Sequence, residues 1–350
     1  MKEQETKIDS ESTKIKDMPK IILKVFLFCL IGIIIALSIT PFFVPKWSDE
    51  YGGATRRIKG MYNEPKNTID VVMLGNSDMY NGISPMYLWE KSGITSYHIG
   101  APMQTTWTSY YLLKDFYKMQ QPKLAIIDAD YIFEEKDRSD PNRRKSFDCM
   151  KLNLNKMQAI CDPVFKLSIG KKLSYLVPLI RYHSRWNELD SKDIKEAYEV
   201  YDAQFKGYEL TRGKKAYKKT ANKQENDDIE KIPQKSKEYL DKIIKLCNEN
   251  NTQVLLTYIP TKNWTEKRNS LVTEYAKENN IQFVDCNLME FDWNQYTRDK
   301  GSHLNVYGAE AITKQLSEYL KRYNLPNHKE DTKYEKWNKD LEKYEEQKNA

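Results

Sequence analysis

The sequence 70-DVVMLGNSDMYNGISP-85 joins a buried strand to a polar turn. Asp70–Leu74 is a short apolar and β-branched run, typical of a buried strand, and it stops at Gly75. In an open parallel sheet, the loops at the carboxyl ends of the strands line the ligand crevice. Ser77 in such a loop can present both its hydroxyl and its own backbone N–H to a substrate. The simpler interpretation is that Ser77 only caps the helix that follows.

Outward from this stretch, short strands alternate with helices along the chain. Further strands are predicted at Ser96–Ile99, Leu124–Asp128, Gln253–Tyr258 and Gln282–Cys286, and helices at Ser84–Lys91, Thr105–Met119, Gln234–Glu249, Glu266–Asn279 and Tyr307–Arg322. This alternation is typical of a parallel sheet that is covered by helices on both faces. With right-handed crossovers it predicts an α/β fold of the flavodoxin-like, three-layer sandwich type.

The alternation stops between residues 138 and 232. This stretch is rich in lysine, has no convincing strand, and carries helical patterns at Phe147–Ile160 and Leu173–Arg185. Its segment 212–228 is a solvated run of charged and polar residues. We interpret 138–232 as a helical insertion at one edge of the sheet. It either overhangs the crevice as a lid or partner-docking surface, or only decorates that edge.

A second polar segment, 299-DKGSHLNVYGAEAI-312, lies between the last strand and the last helix. His303 stands four residues after Asp299. That spacing lets the carboxylate reach the imidazole Nδ1 and leaves Nε2 facing a nucleophile. The simpler interpretation is a histidine that caps the final helix. Because Ser77 and His303 are both predicted at the carboxyl end of a parallel sheet, we expect them to belong to one site.

The composition excludes several classes of protein. The 350 residues include 56 Lys and Arg against 50 Asp and Glu, a net charge of +6. The two signs are interleaved, so we predict no nucleic-acid partner. A mean hydropathy of −0.76 excludes a polytopic membrane protein. Aromatic residues make up 12% of the chain, which excludes a mainly disordered one.

One local exception is Val25–Val44, twenty residues without a charge, which is long enough to cross a bilayer core of about 30 Å as a helix. A buried core helix and a cleaved signal peptide are the alternatives, although the small-x-small cleavage site is poor. Lys16, Lys20 and Lys24 precede the run and only Lys46 follows it closely, which favours a cytoplasmic N-terminus. The predicted organisation is a cytoplasmic tail 1–24, a single transmembrane anchor 25–44, a linker 45–66, an extracytoplasmic domain 67–326 and a charged C-terminal tail 327–350.

The cysteines and histidines carry no metal-binding pattern. Cys29 lies in the apolar run, and the other four cysteines have no CxxC or metal-type spacing. Cys247 and Cys286 fit buried thiols, whereas Cys149 and Cys161 fit either free thiols or a disulfide in an exported domain. No pair among the four histidines has helical or turn spacing for a metal. We therefore predict no metal and no other cofactor.

The strand ending in Gly-Asn-Ser, the segments 99-IGAPMQTT-106 and 121-QPKLAIIDAD-130, and the terminal DKGSHLNVYGAE together resemble the SGNH/GDSL hydrolase superfamily. The resemblance spans residues 67–325 without the insertion. It is greatest to the membrane-anchored extracytoplasmic branch of Gram-positive bacteria, which is related to the teichoic-acid D-alanyl transfer and alginate acetylation proteins. It implies that Ser77 is the nucleophile, His303 the general base and Asp299 its orienting partner. The N–H groups of Ser77 and Gly100 would form the oxyanion hole.

The chain departs from the superfamily's pattern in two places. The usual Asp-x-x-His is here Asp-x-x-x-His, which leaves Asp292 and Asp285 as alternative orienting residues. The usual Gly-x-Asn-Asp block is replaced by 128-DADYIFEE-135, which has no Asn. The third oxyanion donor is therefore missing, and losing one such donor costs ~10²–10³ in rate.

The residues and the resemblance together predict acyl transfer through a seryl ester. The protein is a serine acyl-esterase if water accepts the acyl group, and an O-acyltransferase if a glycan hydroxyl accepts it. The resemblance implies a cell-envelope glycan as substrate and a membrane-bound acyl-transfer protein as partner, besides the lipid bilayer around 25–44. The alternative is a catalytically inert envelope protein that binds an acyl-export partner or a glycan.

Overall fold

The structure, a computed structural model, describes residues 2–48, 52–136, 139–218 and 229–350. Its strands are β1 (Val71–Leu74), β2 (Ser96–Ile99), β3 (Leu124–Asp128), β4 (Gln253–Tyr258), β5 (Gln282–Asp285), β6 (Thr297–Arg298) and β7 (His303–Leu304). The first five form a parallel sheet in the order β2-β1-β3-β4-β5, and β6 and β7 form an antiparallel hairpin. All five predicted strands are present within one residue of their predicted ends.

The described residues also form helices, some of which cover the two faces of the sheet. They are α1 (Lys2–Phe43), α2 (Gly53–Met61), α3 (Ser77–Gly82), α4 (Pro85–Ser92), α5 (Thr106–Phe116), α6 (Asp140–Phe147), α7 (Leu154–Cys161), α8 (Ile169–Leu176), α9 (Leu179–Tyr182), α10 (Ser191–Lys195), α11 (Gln234–Glu249), α12 (Glu266–Glu278), α13 (Val306–Leu320) and α14 (Glu335–Asn349). Polar residues begin several of them. The Ser84 side chain accepts a hydrogen bond from Tyr87 N in α4, and that of Asn305 accepts one from Gly308 N in α13.

The sheet has a helix layer on each face. α4 packs with α13, and α5 packs with α11. Val71 and Met73 of β1 belong to the same buried apolar cluster as Leu88 of α4 and Ile312 of α13. Both faces of β1 and β3 are buried, as expected for a parallel sheet between helices. The predicted α/β three-layer sandwich is therefore confirmed.

The chain divides into two compact units. One comprises residues 47–167 and 200–350 and contains the sheet, and the other comprises residues 1–46 and 168–199. The stretch 138–232, interpreted as one helical insertion, is divided between the two units: its middle part groups with α1 and its two ends belong to the sheet unit. Residues 219–228, most of the solvated run 212–228, lie outside the described residues.

The stretch predicted as a polar linker, 45–66, instead contains the packed helix α2. Ile58 and Met61 of this helix are fully buried. Arg57 is also buried, and its charged group has partners there. Its Nε donates to Gly207 O at 2.5 Å, and its guanidinium lies 3.6 Å from the centre of the Tyr80 ring. The linker prediction failed because the partners of this charged residue come from distant parts of the chain.

The stretch predicted as a charged tail, 327–350, contains α14, which packs on α4. Trp337 stacks near Trp89 with ring centroids 5.3 Å apart. Tyr344 is fully buried, with its ring 5.6 Å from that of Phe205. Two aromatic side chains seven residues apart therefore cover the domain from a helix that is otherwise charged.

A buried lysine connects α14 to the rest of the sheet unit. Lys206 has no exposed surface, and its Nζ lies 3.0 Å from Glu64 Oε1 and 3.2 Å from Asp340 Oδ2. The ammonium also lies 4.8 Å from the centre of the Trp337 ring. Because a buried charge is costly unless it is paired, these two carboxylates and this ring belong to one structural cluster.

Helix α1 contains the apolar run. Met18–Phe43 covers 26 residues, and its most apolar stretch of 18 residues has a mean hydropathy of 2.8 and no buried residue. It is long and apolar enough to cross a membrane, and a signal sequence near an N-terminus has the same properties. The five cysteines are free, so the alternative of a Cys149–Cys161 disulfide is wrong for this structure.

Candidate active site

Ser77 follows the carboxyl end of a central strand. β1 is fully buried and ends at Leu74, and Ser77 is the first, partly exposed residue of α3. Gly75 makes this turn possible, because a Cβ there would lie 2.6 Å from Met79 Cβ and 2.9 Å from Asp128 Cβ. The Asn76 side chain caps the helix by accepting from the backbone N–H two residues on, at 2.9 Å. The interpretation of Ser77 as the cap is therefore wrong, and its hydroxyl is not used for that purpose.

Gly100 lies directly beside this turn. β2 pairs with β1 in parallel up to Ile99 and Leu74, so Gly100 and Gly75 leave adjacent strands at the same end. A Cβ on Gly100 would lie 2.5 Å from Gly75 O, which means that only glycine permits this close approach. Arg57 Nη1 donates to Gly100 O at 3.1 Å and fixes that peptide. The structure thus brings both residues predicted for the oxyanion hole to one edge of the sheet.

The β6–β7 hairpin holds Asp299 against His303. Asp299 Oδ2 lies 2.6 Å from His303 Nδ1, and its Oδ1 accepts from His303 N at 3.0 Å. Residues 299, 300 and 301 have φ angles of 46°, 60° and 81°, so the loop turns in the left-handed region for three residues in a row. This turn accommodates the additional residue of Asp-x-x-x-His and returns the carboxylate to the imidazole. The departure in spacing is therefore compensated by the loop.

The two alternative orienting residues make other contacts. Asp285 accepts from the side chains of Trp264, Asn269 and Asn287. Asp292 accepts from the backbone N–H groups of residues 294 and 295 and closes a turn. Neither carboxylate contacts His303 in the described structure, whereas Asp299 contacts it twice. The geometry favours Asp299 as the partner of the imidazole.

The second ring nitrogen of His303 faces the start of α3. Its Nε2 lies 4.0 Å from Oδ1 of Asp78, the residue after Ser77. Arg298 Nη2 donates to Asn81 Oδ1 at 2.9 Å and ties the hairpin to the same helix. Within the described residues Ser77 and His303 share no hydrogen bond, as is common when a substrate is absent. The His303 side chain is 24% exposed, so the site is open to a ligand.

Acidic side chains near Ser77 are a feature that the sequence analysis missed. Burial and the neighbouring Asp130 and Asp128 raise the pKa of Asp78 well above its usual range. Burial and Asp130 likewise raise the pKa of Asp128. Asp130 accepts from Tyr258 OH at 2.8 Å and lies 3.4 Å from Arg268 Nη1. The Asp-Ala-Asp sequence at the end of β3 therefore places two carboxyl groups where the resemblance leads one to expect Asn.

The returning part of the predicted insertion borders the hairpin, which no sequence pattern indicated. Thr211 O accepts from Val306 N at 2.8 Å, and Lys215 N donates to Thr297 O at 2.9 Å. A Cβ on Gly301 would lie 2.7 Å from the Tyr217 ring. These contacts connect residues 211–217 to the hairpin and to the start of α13. In the described residues no group of three or more His, Cys, Asp or Glu could hold a metal ion.

Comparison with known proteins finds similarities among solved structures. No family model and no curated protein matches the chain. Among solved structures, a predicted acylhydrolase from Bacteroides fragilis aligns over 78% of this chain and 99% of its own, with 14% identity and a TM-score of 0.36. A GDSL-like lipase from Bacteroides thetaiotaomicron aligns over 77% and 99%, with the same identity and TM-score. Similarities at this level carry no argument about activity, and membership of the SGNH/GDSL superfamily stays a hypothesis.

Proposed function

We propose that this chain is a membrane-anchored, extracytoplasmic serine acyl-esterase or O-acyltransferase of the SGNH/GDSL type that acts on acyl groups of a cell-envelope glycan. The observation that carries the proposal is the Asp299–His303 pair, whose Nε2 faces the helix that begins with Ser77. A carboxylate, an imidazole and a serine in this order are the parts of an activated nucleophile. Gly75 and Gly100 allow the backbones of the two neighbouring turns to approach each other closely.

The proposed reaction proceeds in two steps. Ser77 Oγ attacks the ester carbonyl while His303 Nε2 takes its proton, and the N–H groups of Ser77 and Gly100 stabilise the oxyanion. The tetrahedral intermediate expels the alcohol, which receives the proton from His303, and a seryl ester remains. Water or a glycan hydroxyl then attacks this ester and gives its proton to His303 Nε2. The acyl group leaves Ser77 with the attacking oxygen, and His303 returns the proton to Ser77 Oγ. Asp299 holds the imidazole with Nδ1–H toward its carboxylate throughout.

Reaction with a fluorophosphonate tests for an activated serine. In the expected outcome Ser77 Oγ displaces fluoride from phosphorus, the proton leaves through His303, and a stable phosphonate ester labels the full-length chain. Ser77→Ala should remove the label completely. Ser270→Ala is the matched control, because Ser270 lies on the exposed face of α12 and bonds only within its own helix. Equal labelling of wild type and Ser77→Ala would overturn the mechanism.

A catalytically inert protein that binds a membrane acyl-export partner or a glycan is the second candidate. It is favoured by the position of His303 Nε2, which lies 4.0 Å from the Asp78 carboxyl and shares no hydrogen bond with Ser77 in the described residues. A protonated Asp78, which its raised pKa favours, would compete with the Ser77 hydroxyl for His303 Nε2. Absence of any fluorophosphonate label on well-folded wild-type protein would support this candidate against the enzyme.

The topology belongs to the same proposal. The lysine-rich flank before the apolar run favours an N-terminus in the cytoplasm and a sheet unit outside the membrane. Protease added to intact cells is then expected to degrade the sheet unit and leave the N-terminal tail protected. A chain in which four of the residues between Leu30 and Ile39 are replaced by Lys is the control, because it should lose its membrane association. Protection of the sheet unit in intact cells would contradict the proposed orientation.

A further inference from the structure

Residues 168–199 pack around the last turns of α1, and we call them the collar. Arg185 Nη1 donates to Phe43 O at 2.6 Å, and Lys46 Nζ lies 3.5 Å from Asp193 Oδ1. The Tyr198 ring meets that of Phe42 edge to face, with centroids 5.6 Å apart. Thus the carbonyl end of α1 and the start of the next segment are both held by collar side chains.

This packing begins abruptly along α1. The side chains from Ile21 to Ile35 are all exposed, whereas Thr40 and Val44 are buried. From Met18 to Phe43 the helix has 26 residues, or about 39 Å at 1.5 Å per residue. That length exceeds a bilayer core of about 30 Å, so the last turns of a spanning helix reach the headgroup layer. The collar is attached at the level of those turns.

The collar leaves large apolar side chains uncovered. Ile169 and Leu173, one turn apart on α8, are 78% and 49% exposed. Ile180 of α9 is 50% exposed, and Trp186 is 72% exposed. Exposed apolar side chains on adjacent short helices mark an interaction surface, and tryptophan is enriched where protein meets the headgroup region.

The charges in the first twenty residues of the collar have one sign, whereas residues 188–199 carry five acidic and two basic residues. From Ser168 to Asn187 the sequence SIGKKLSYLVPLIRYHSRWN contains four Lys and Arg residues and no acidic residue before Glu188. Lys171 and Arg181 are exposed next to the apolar side chains. Short helices that combine exposed apolar residues with Lys and Arg bind the surface of anionic membranes. A hydrophobic protein partner would explain the isoleucines but gives no reason for the basic residues of 168–187.

We infer that the collar is a lipid-binding element that lies in the outer headgroup layer, with Ile169, Leu173, Ile180 and Trp186 inserted among anionic lipids. This inference rests on the proposed membrane anchor. The collar thereby adds an interfacial contact to the single spanning helix. Lys171, Lys172 and Arg181 contact the headgroup phosphates, and the apolar side chains lie between the acyl chains just below them.

Fluorescence quenching by brominated phospholipid tests the position of Trp186. The full-length chain is reconstituted into vesicles of phosphatidylglycerol and phosphatidylcholine, with bromine near the headgroup end of the acyl chains. We expect quenching in the wild type whose main component is lost in Trp186→Phe and kept in Trp293→Phe, since Trp293 lies in the sheet unit. In phosphatidylcholine alone, and in a Lys171→Glu, Lys172→Glu variant, this component should fall.

The outcomes separate the collar from the anchor. If the wild type fails to float with the vesicles, the proposed membrane anchor is wrong, and the proposed lipid-binding role of the collar is then wrong as well. If it floats but Trp186→Phe and Trp293→Phe quench equally, the anchor stands and the lipid-binding collar is wrong, which would leave the surface to a protein partner. Equal quenching in both lipid mixtures would overturn the role of the anionic headgroups. Since Trp186 is largely exposed, its replacement should leave the unfolding temperature unchanged.

Discussion

Ser77→Ala and His303→Ala are each expected to lose nearly all esterase activity, by about 10⁴-fold or more, and the double variant should be no worse than either single one. Nucleophile and base act as one unit, because without the serine the imidazole has no proton to take. Hydrolysis of a small aryl ester by the full-length protein in detergent measures the loss. Substrate binding should change little, since neither side chain is needed to hold the acyl group.

Two matched variants serve as controls for this prediction. Ser270→Ala and His183→Ala remove an exposed serine and an exposed histidine and should retain full activity. Additive losses in the double variant would show that Ser77 and His303 act separately. Full activity of Ser77→Ala on any ester that the wild type cleaves would refute the seryl-ester mechanism itself.

Asp299→Asn is expected to reduce kcat on the order of 10⁴-fold while leaving measurable turnover and an intact fold. An amide at this position cannot hold the imidazole with Nδ1–H toward it and stabilise the imidazolium. Asp292→Asn is the control, because Asp292 only closes a turn and should keep its activity. The comparison is made by kcat at saturating ester and by thermal unfolding of each variant.

Asp285→Asn separates a structural from a catalytic effect. Asp285 accepts from three side chains and from the backbone N–H of Asn287. Its replacement should therefore lower the unfolding temperature clearly but change kcat little. A large loss of kcat in Asp292→Asn, with Asp299→Asn active, would preserve the triad mechanism but refute the assignment of its third residue.

The sheet and its polar turns could be predicted from the sequence because their signals are local. A run such as Val71–Leu74 is apolar on both faces, which fits only a strand buried between helices. Asp299 and His303 lie four residues apart, so spacing alone could bring them together. The chain order of strands and helices then put Ser77 at the same end of the sheet.

What could not be predicted depends on residues distant in sequence. From the sequence, Arg57 is expected to be a solvated surface residue. In the structure it is buried and contacts Tyr80, Gly207 and Glu209. Asp78 reads as an ordinary first-turn acid, and only the fold shows it beside Asp130 and His303. A pattern of polar and apolar residues places every charged residue at the surface. For this reason it predicts a linker where α2 lies and a tail where α14 lies.

The burial of Lys206 has a consequence for how the protein is made. Asp340, one of its two carboxylate partners, and Trp337, whose ring lies 4.8 Å from the ammonium, both belong to α14. Before this helix has been synthesised, the nascent chain cannot fully neutralise the charge of Lys206. Burying that charge away from water is then costly. Completion of the sheet unit is therefore coupled to the synthesis of α14 rather than to the appearance of β5.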